Sequence, residues 1–149
     1  MIGRRLPLAA AVSLSVLAAG GCGGGGGTRG AQTAKVEQTV RTALADLARA
    51  DGHAFCALAT PAGQATLART LPGYSCPKLV AYVGDHLSPA AKEGLLHARV
   101  RRVRISGATA RVLSADIIAT EGSLKGVLDD NGKPTTLIRQ SDGSWKING

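Results

Sequence analysis

The sequence predicts an α+β fold, with N-terminal helices packed on one face of a C-terminal antiparallel sheet of about four strands. Two observations carry this. As far as Leu96, apolar residues recur three and four apart, and hydroxyl-then-proline pairs punctuate them at Thr60-Pro61 and Ser88-Pro89. From Val100 onward, β-branched residues alternate with charged ones between glycine-containing turns.

The first helix rests on Val36, Val40, Leu44 and Leu47, with Lys35, Glu37, Arg41 and Arg49 falling elsewhere on the wheel. Asp51 and Gly52 interrupt it, and Phe55 and Leu58 continue the apolar face as a short second turn. Thr60 then offers an N-cap and Pro61 a first helical residue with φ already set, which starts a helix through Leu67 and Leu71 that Pro72-Gly73 ends. Cys76-Pro77 open another segment with Leu79, Val80, Val83 and Leu87 on one face, and Ser88-Pro89 repeat the cap before a short helix carrying Leu95 and Leu96.

The strands begin with Val100, Val103, Ile105, Ala110, Val112, Ile117 and Ile118, broken by Ser106-Gly107 into a hairpin. Asp129 to Pro134 forms a second turn and Thr135 to Gln140 a strand centred on Leu137. Ser141-Asp142-Gly143 then lead into the apolar, charged, apolar alternation of Trp145-Lys146-Ile147. Val100 and Val103 lie three apart and so point to opposite faces of a regular strand. A β-bulge near Arg101 and Arg102 restores the phase, turning Val100, Val103 and Ile105 inward and Arg99, Arg101, Arg102 and Arg104 outward, with Arg111 joining them across the hairpin. The alternative is a strand with both faces partly covered, which would bury unpaired Arg at high cost.

Ahead of these elements, Arg4 and Arg5 precede an apolar run from Leu6 to Ala19. A membrane-spanning helix needs about 20 apolar residues and an export signal roughly 7 to 15, so the run reads as a removable signal peptide. Its end, Leu17-Ala18-Ala19-Gly20-Gly21-Cys22, resembles the lipobox of bacterial lipoproteins, with Ala19 where that family prefers Leu. The resemblance implies cleavage before Cys22, a diacylglycerol on its thiol with further acylation of the palmitate type, and anchoring at the extracytoplasmic face of the cell membrane. The alternative is ordinary secretion with a cut after Gly20. The expected organisation is a signal peptide over 1–21, a lipidated cysteine with a Gly-rich flexible tether over 22–32, and one domain over 33–149.

An exported chain with three cysteines has one left over, and lipidation of Cys22 removes it. Cys56 and Cys76 are then free to pair, and closing a loop of about 20 residues adds on the order of 3 kcal/mol by the chain-entropy estimate. Two reduced buried thiols are the alternative.

The order of elements, the segment Val-x-x-Val-x-Ile-Ser-Gly-Ala-Thr-Ala-Arg-Val over 100–112 and the closing Ile-Arg-Gln-Ser-Asp-Gly-Ser-Trp-Lys-Ile over 138–147 resemble the cone-shaped nuclear transport factor 2-like superfamily. The resemblance implies a cone-like hollow between helices and sheet. The superfamily includes isomerases and dehydratases as well as plain binding and assembly domains, so it does not choose a function. Its ketosteroid-isomerase-like enzymes hold an Asp base and polar oxyanion donors inside the cone. Asp46, Asp116, Tyr74 and Tyr82 are the candidates for those roles here, and none aligns with that pattern residue by residue.

Motifs for other chemistry are missing. His53, His86 and His97 lack metal-ligand spacing, and Asp85 and His86, adjacent on a helix, point about 100° apart and form no dyad. The run Gly23–Gly27 lacks the Lys and Ser/Thr of a phosphate loop. A net charge of +8 suits an anionic partner, but aromatics make up 3% of the chain, too few to stack nucleic-acid bases, and no nucleic acid is expected outside the membrane. No cofactor or metal is expected.

Two function classes remain. One is a non-catalytic binding module taking a small molecule, lipid or envelope component. The other is a structural protein that docks on another envelope protein or on a second copy through the sheet. Arg99, Arg101, Arg102, Arg104 and Arg111 are the one dense charge cluster, either a solvated sheet face or a contact for anionic headgroups or envelope polymer.

Overall fold

A computed structural model describes residues 25–119 and 132–149. Among these residues five helices come first: α1 (Gly25–Ala48), α2 (Gly52–Ala57), α3 (Pro61–Thr70), α4 (Cys76–His86) and α5 (Pro89–Leu96). Six short strands follow: β1 (Arg99–Val100), β2 (Arg104–Ser106), β3 (Thr109–Val112), β4 (Ile117–Ile118), β5 (Thr135–Arg139) and β6 (Trp145–Ile147). The fold is α+β, as the sequence predicts. Its sheets are open and do not close into a barrel.

The punctuation works as hydrogen-bond chemistry. The Asp51 carboxylate accepts from the Ala54 N–H at 3.0 Å, the Thr60 hydroxyl from Gly63 at 3.0 Å and the Ser88 hydroxyl from Ala91 at 3.1 Å, each satisfying a donor that the first turn of a helix leaves unpaired. Pro61 and Pro89 follow their caps as first helical residues, where a missing N–H costs nothing. One face of α1 buries Val36, Val40, Ala43, Leu44 and Ala48.

That helix starts earlier than composition suggests, at Gly25, inside the stretch expected to be a flexible tether. The Gln32 side-chain carbonyl accepts from the Trp145 indole N–H at 2.8 Å, so the domain also begins before residue 33. Glycine is a poor helix former, but nucleation is the costly step, and packed turns from Val36 onward supply the nucleus. Cys22, the signal segment and the first residues of the turn expected at 129–134 lie outside the described residues.

The main sheet has the order β2-β3-β5-β6 with every pair antiparallel, and β1 pairs with β4 in a separate two-stranded sheet. Here the expected bulge is replaced by a larger break: the chain leaves one sheet after Val100 and enters the other at Arg104. The effect on side chains is the one the sequence asks for. Val100, Val103 and Ile105 pack against the core, while Arg99, Arg101, Arg102, Arg104 and Arg111 are exposed. The break is held by Arg101, whose N–H donates to the Asp116 carbonyl at 2.7 Å and whose guanidinium pairs with the buried Asp116 carboxylate at 3.2 Å. Ile117 and Ile118 therefore pair with Val100 and Arg99 rather than joining the β2–β3 hairpin. At that hairpin Gly107 has φ +59°, the left-handed conformation its two-residue turn calls for.

On the inner face of the main sheet, Ile105, Ala110, Leu137 and Ile147 lie in one row across all four strands, beside Val112 and Trp145. Cys56 and Cys76 are joined, with Cα atoms 6.2 Å apart, and centre a second apolar cluster with Val80, Leu47, Phe55 and Leu67.

Candidate functional site: an apolar cleft and a basic sheet face

Where α1, α3 and α4 meet the end of the sheet, they leave a cleft of about 710 Å³. Its origin is legible in α3. The sequence Pro-Ala-Gly-Gln-Ala-Thr-Leu-Ala-Arg-Thr carries Leu67 as its one large apolar residue, and Gly63 is its one buried position. The facing helices present Val40, Leu44, Leu47, Leu79, Val80 and Val83, so apolar surface meets a wall too thin to fill the gap. That wall is fixed at its start. The Thr60 N–H donates to the Ile147 carbonyl at 2.8 Å, and the Thr60 hydroxyl donates to the Asn148 side-chain carbonyl at 2.7 Å. Gly63 lies so close to the end of β6 that a Cβ there would sit 2.6 Å from the Ile147 carbonyl oxygen. The disulfide closes the chain on both sides of α3, from the end of α2 to the start of α4.

Polar groups are few among the lining residues and lie on α3, α4 and the strand ends: Thr66, Thr70, Tyr82, His86 and Thr135. His86 Nδ1 is 2.7 Å from the Tyr82 backbone carbonyl. A carbonyl only accepts, so the proton of this contact sits on Nδ1 and leaves Nε2 as an acceptor in the neutral ring. The two rings stack tilted at 4.2 Å, and Tyr74 meets Tyr82 at 5.4 Å. No side-chain carboxylate appears among the described lining residues.

The residues the sequence offered for acid–base chemistry do not converge. Tyr82 lines the cleft; Asp46, Asp116 and Tyr74 are not among its lining residues. Asp116 is occupied by Arg101. Burial raises the Asp46 carboxyl above its ordinary value, repulsion from Asp51 adds to this, and Arg49 at 4.0 Å opposes it. Asp85 and His86 form no dyad, since His86 Nδ1 is spent on Tyr82. His97 pairs with Glu93 one helical turn away, at 2.6 Å.

The second feature is the outer face of the main sheet. The register sets Arg104 directly opposite Arg111, and Arg111 opposite Thr136. The next row on that face is Ser106, Thr109, Ile138 and Lys146. The cluster of five arginines is thereby divided. Arg99 belongs to the other sheet and lines a smaller hollow of about 560 Å³ with Glu37, Arg41 and His97. Arg101 is tied to Asp116 and Arg102 lies in the break between sheets, while Arg104 and Arg111 remain as a matched pair.

Neither a protein-family model, nor a characterised protein, nor a solved structure matches this chain. Function therefore rests on these two features. The sequence reading found the arginines from their density and expected a hollow only through the resemblance, without its lining residues, because a cleft is a deficit of large side chains at the meeting of three helices and leaves no motif.

Proposed function

We propose that this chain is a lipid-anchored, extracytoplasmic protein whose domain is a non-catalytic binding module, taking an apolar small molecule or an acyl chain between α1, α3 and α4. The observation that carries the proposal is the cleft. Its volume of about 710 Å³ lies within the range of roughly 300–1,000 Å³ usual for small-molecule sites, and its walls are mainly aliphatic with a few polar groups. A ligand seated there gains about 0.8 kcal/mol for each methylene it buries, and Tyr82 and His86 supply orienting hydrogen bonds. The anchor is supported by Arg4-Arg5, by the lipobox-like run to Cys22, and by the pairing of Cys56 with Cys76, which leaves Cys22 as the odd cysteine. The likeness to the nuclear transport factor 2-like superfamily enters through the order of elements and an apolar hollow, and assigns no residue a role.

A fluorescent fatty-acid analogue tests the module. We expect saturable binding to the wild-type chain and at least a tenfold loss in Leu67→Trp and in Val83→Trp, both half-buried positions where an indole fills the cleft. Binding that is absent in wild type, or unchanged in both variants, overturns the reading. The anchor has its own test. Labelled palmitate is expected in wild type and not in Cys22→Ala, and a mature N-terminus other than Cys22 would sink it.

A further inference from the structure

We propose that the outer face of the main sheet, centred on Arg104 and Arg111, docks on anionic phospholipid headgroups. Like charges directly opposite each other on adjacent strands destabilise a sheet, and the register places these two so. Among the described residues neither side chain makes an ion pair or hydrogen bond. The face adds Lys146 one row away, and its described residues include no carboxylate. Of the described acids, Asp116 holds Arg101, and Asp142, at the β5–β6 turn, accepts from the Ser144 N–H at 2.8 Å and its hydroxyl at 2.7 Å and faces Lys146 rather than the two arginines. Two opposed guanidiniums, exposed and without a counter-ion among the described residues, favour an external anion that relieves their repulsion, and each presents a planar fork of donors that fits phosphate oxygens.

A bilayer, rather than a soluble polyanion, is the partner because of where the chain is held. α1 begins three residues after Cys22, so on the proposed anchor at most about 10 Å of chain lies between the lipid and the first helix. Headgroups are then the anionic surface at the highest effective concentration. This choice of partner rests on the proposed anchor, whereas the affinity of the face does not.

The test therefore uses residues 22–149 with Cys22→Ser, which contain every described element and carry no lipid. Cosedimentation is measured with phosphatidylglycerol-containing and with pure phosphatidylcholine vesicles. Binding is expected to the anionic vesicles alone and to vanish at about 1 M salt, where screening shortens to a few ångströms. Each basic side chain at such a surface strengthens binding about fivefold at low salt, so Arg104→Gln/Arg111→Gln is expected to weaken it by about 25-fold. Arg69→Gln/Lys78→Gln removes equal charge from exposed positions on α3 and α4 and is expected to matter several-fold less. Equal loss in the two double variants means net charge alone is sensed, and overturns the proposal. So does unchanged binding in Arg104→Gln/Arg111→Gln, binding to neutral vesicles, or capture by soluble polyphosphate tighter than by vesicles. Failure of palmitate labelling with vesicle binding intact would remove the anchor and leave the face.

Discussion

The two faces of the main sheet are built from the same strands, one residue out of phase, and they follow opposite rules. Inward, Ile105, Ala110, Leu137 and Ile147 form a row in which Ala110 and Leu137 are fully excluded from solvent, and each is covered by a helix or a neighbour on the sheet. Outward, the adjacent row begins with two opposed arginines that have no counter-ion among the described residues. The inner face is ordered by burial of apolar area, and any change there is paid in stability. The outer face contains a like-charge pairing that costs stability, so stability does not explain it. A region that departs from the rule its own neighbours obey is where function is expected to reside.

The largest effect expected of a single substitution tests that contrast at adjacent positions. Leu137→Ala leaves a cavity in the middle of the inner row and is expected to cost about 3 kcal/mol, within the range of 2–5 for buried leucines. Ile138→Ala, next along β5 but on the outer face and half-buried, is expected to cost under about 1 kcal/mol. Urea denaturation of both variants reads the difference. Comparable losses would mean that the outer face is covered, and would break the comparison.

The inner face was legible in the sequence because burial leaves a period. Alternation gave Leu137, Trp145 and Ile147, and the helical spacing gave Val36, Val40 and Leu44. The caps were legible too, since Thr60 and Ser88 act within three residues of themselves. What escaped depends on distant partners. Arg101 looked like its neighbours until Asp116, fifteen residues on, was seen to hold it. The change of sheets at 101–103 was foreseen as a phase error needing correction, but whether a bulge or a break corrects it is decided by that same contact. The early start of α1 escaped because glycine content speaks to propensity, while the Gln32–Trp145 bond joins residues 113 apart. The resemblance implied a hollow, but its lining escaped, because the thinness of α3 means little until α1 and α4 are set against it.

A pH experiment sharpens the contrast from the helical side, where Asp46 is a buried carboxylate whose one ion pair, to Arg49, is long at 4.0 Å. Burial first, and Asp51 second, raise its pKa in the fold above the ordinary value of 3.8. The folded state then holds this proton more tightly than the unfolded chain. The contribution of Asp46 to stability is therefore greatest below 3.8 and is lost as pH rises through the window up to the folded value. Asp46→Asn carries no such penalty. It is expected to raise the urea midpoint at pH 7, by less than Leu137→Ala lowers it, and the gain is expected to fade as pH falls through that window. A variant less stable than wild type at pH 7 would show that the Arg49 pair outweighs the desolvation.

The smallest expected effect bears most directly on why the outer face exists. Directly opposed like charges cost roughly 0.2–1 kcal/mol, and exposure places Arg104 and Arg111 toward the low end of that range. Arg104→Gln and Arg111→Gln are each expected to gain about 0.3 kcal/mol by removing the repulsion. The double variant is expected to gain the same amount and not twice as much, because the repulsion can be removed only once. That non-additivity is the signature of the pair, and it is expected to disappear at about 1 M salt, where exposed charges are screened. Additive gains, or none, would mean that the two side chains splay apart and that the register imposes no cost. If the non-additivity holds and the same double variant also loses vesicle binding, stability and binding move in opposite directions at the same two residues. A merely solvated face gives no reason for that opposition, whereas a face kept ready for an anion requires it.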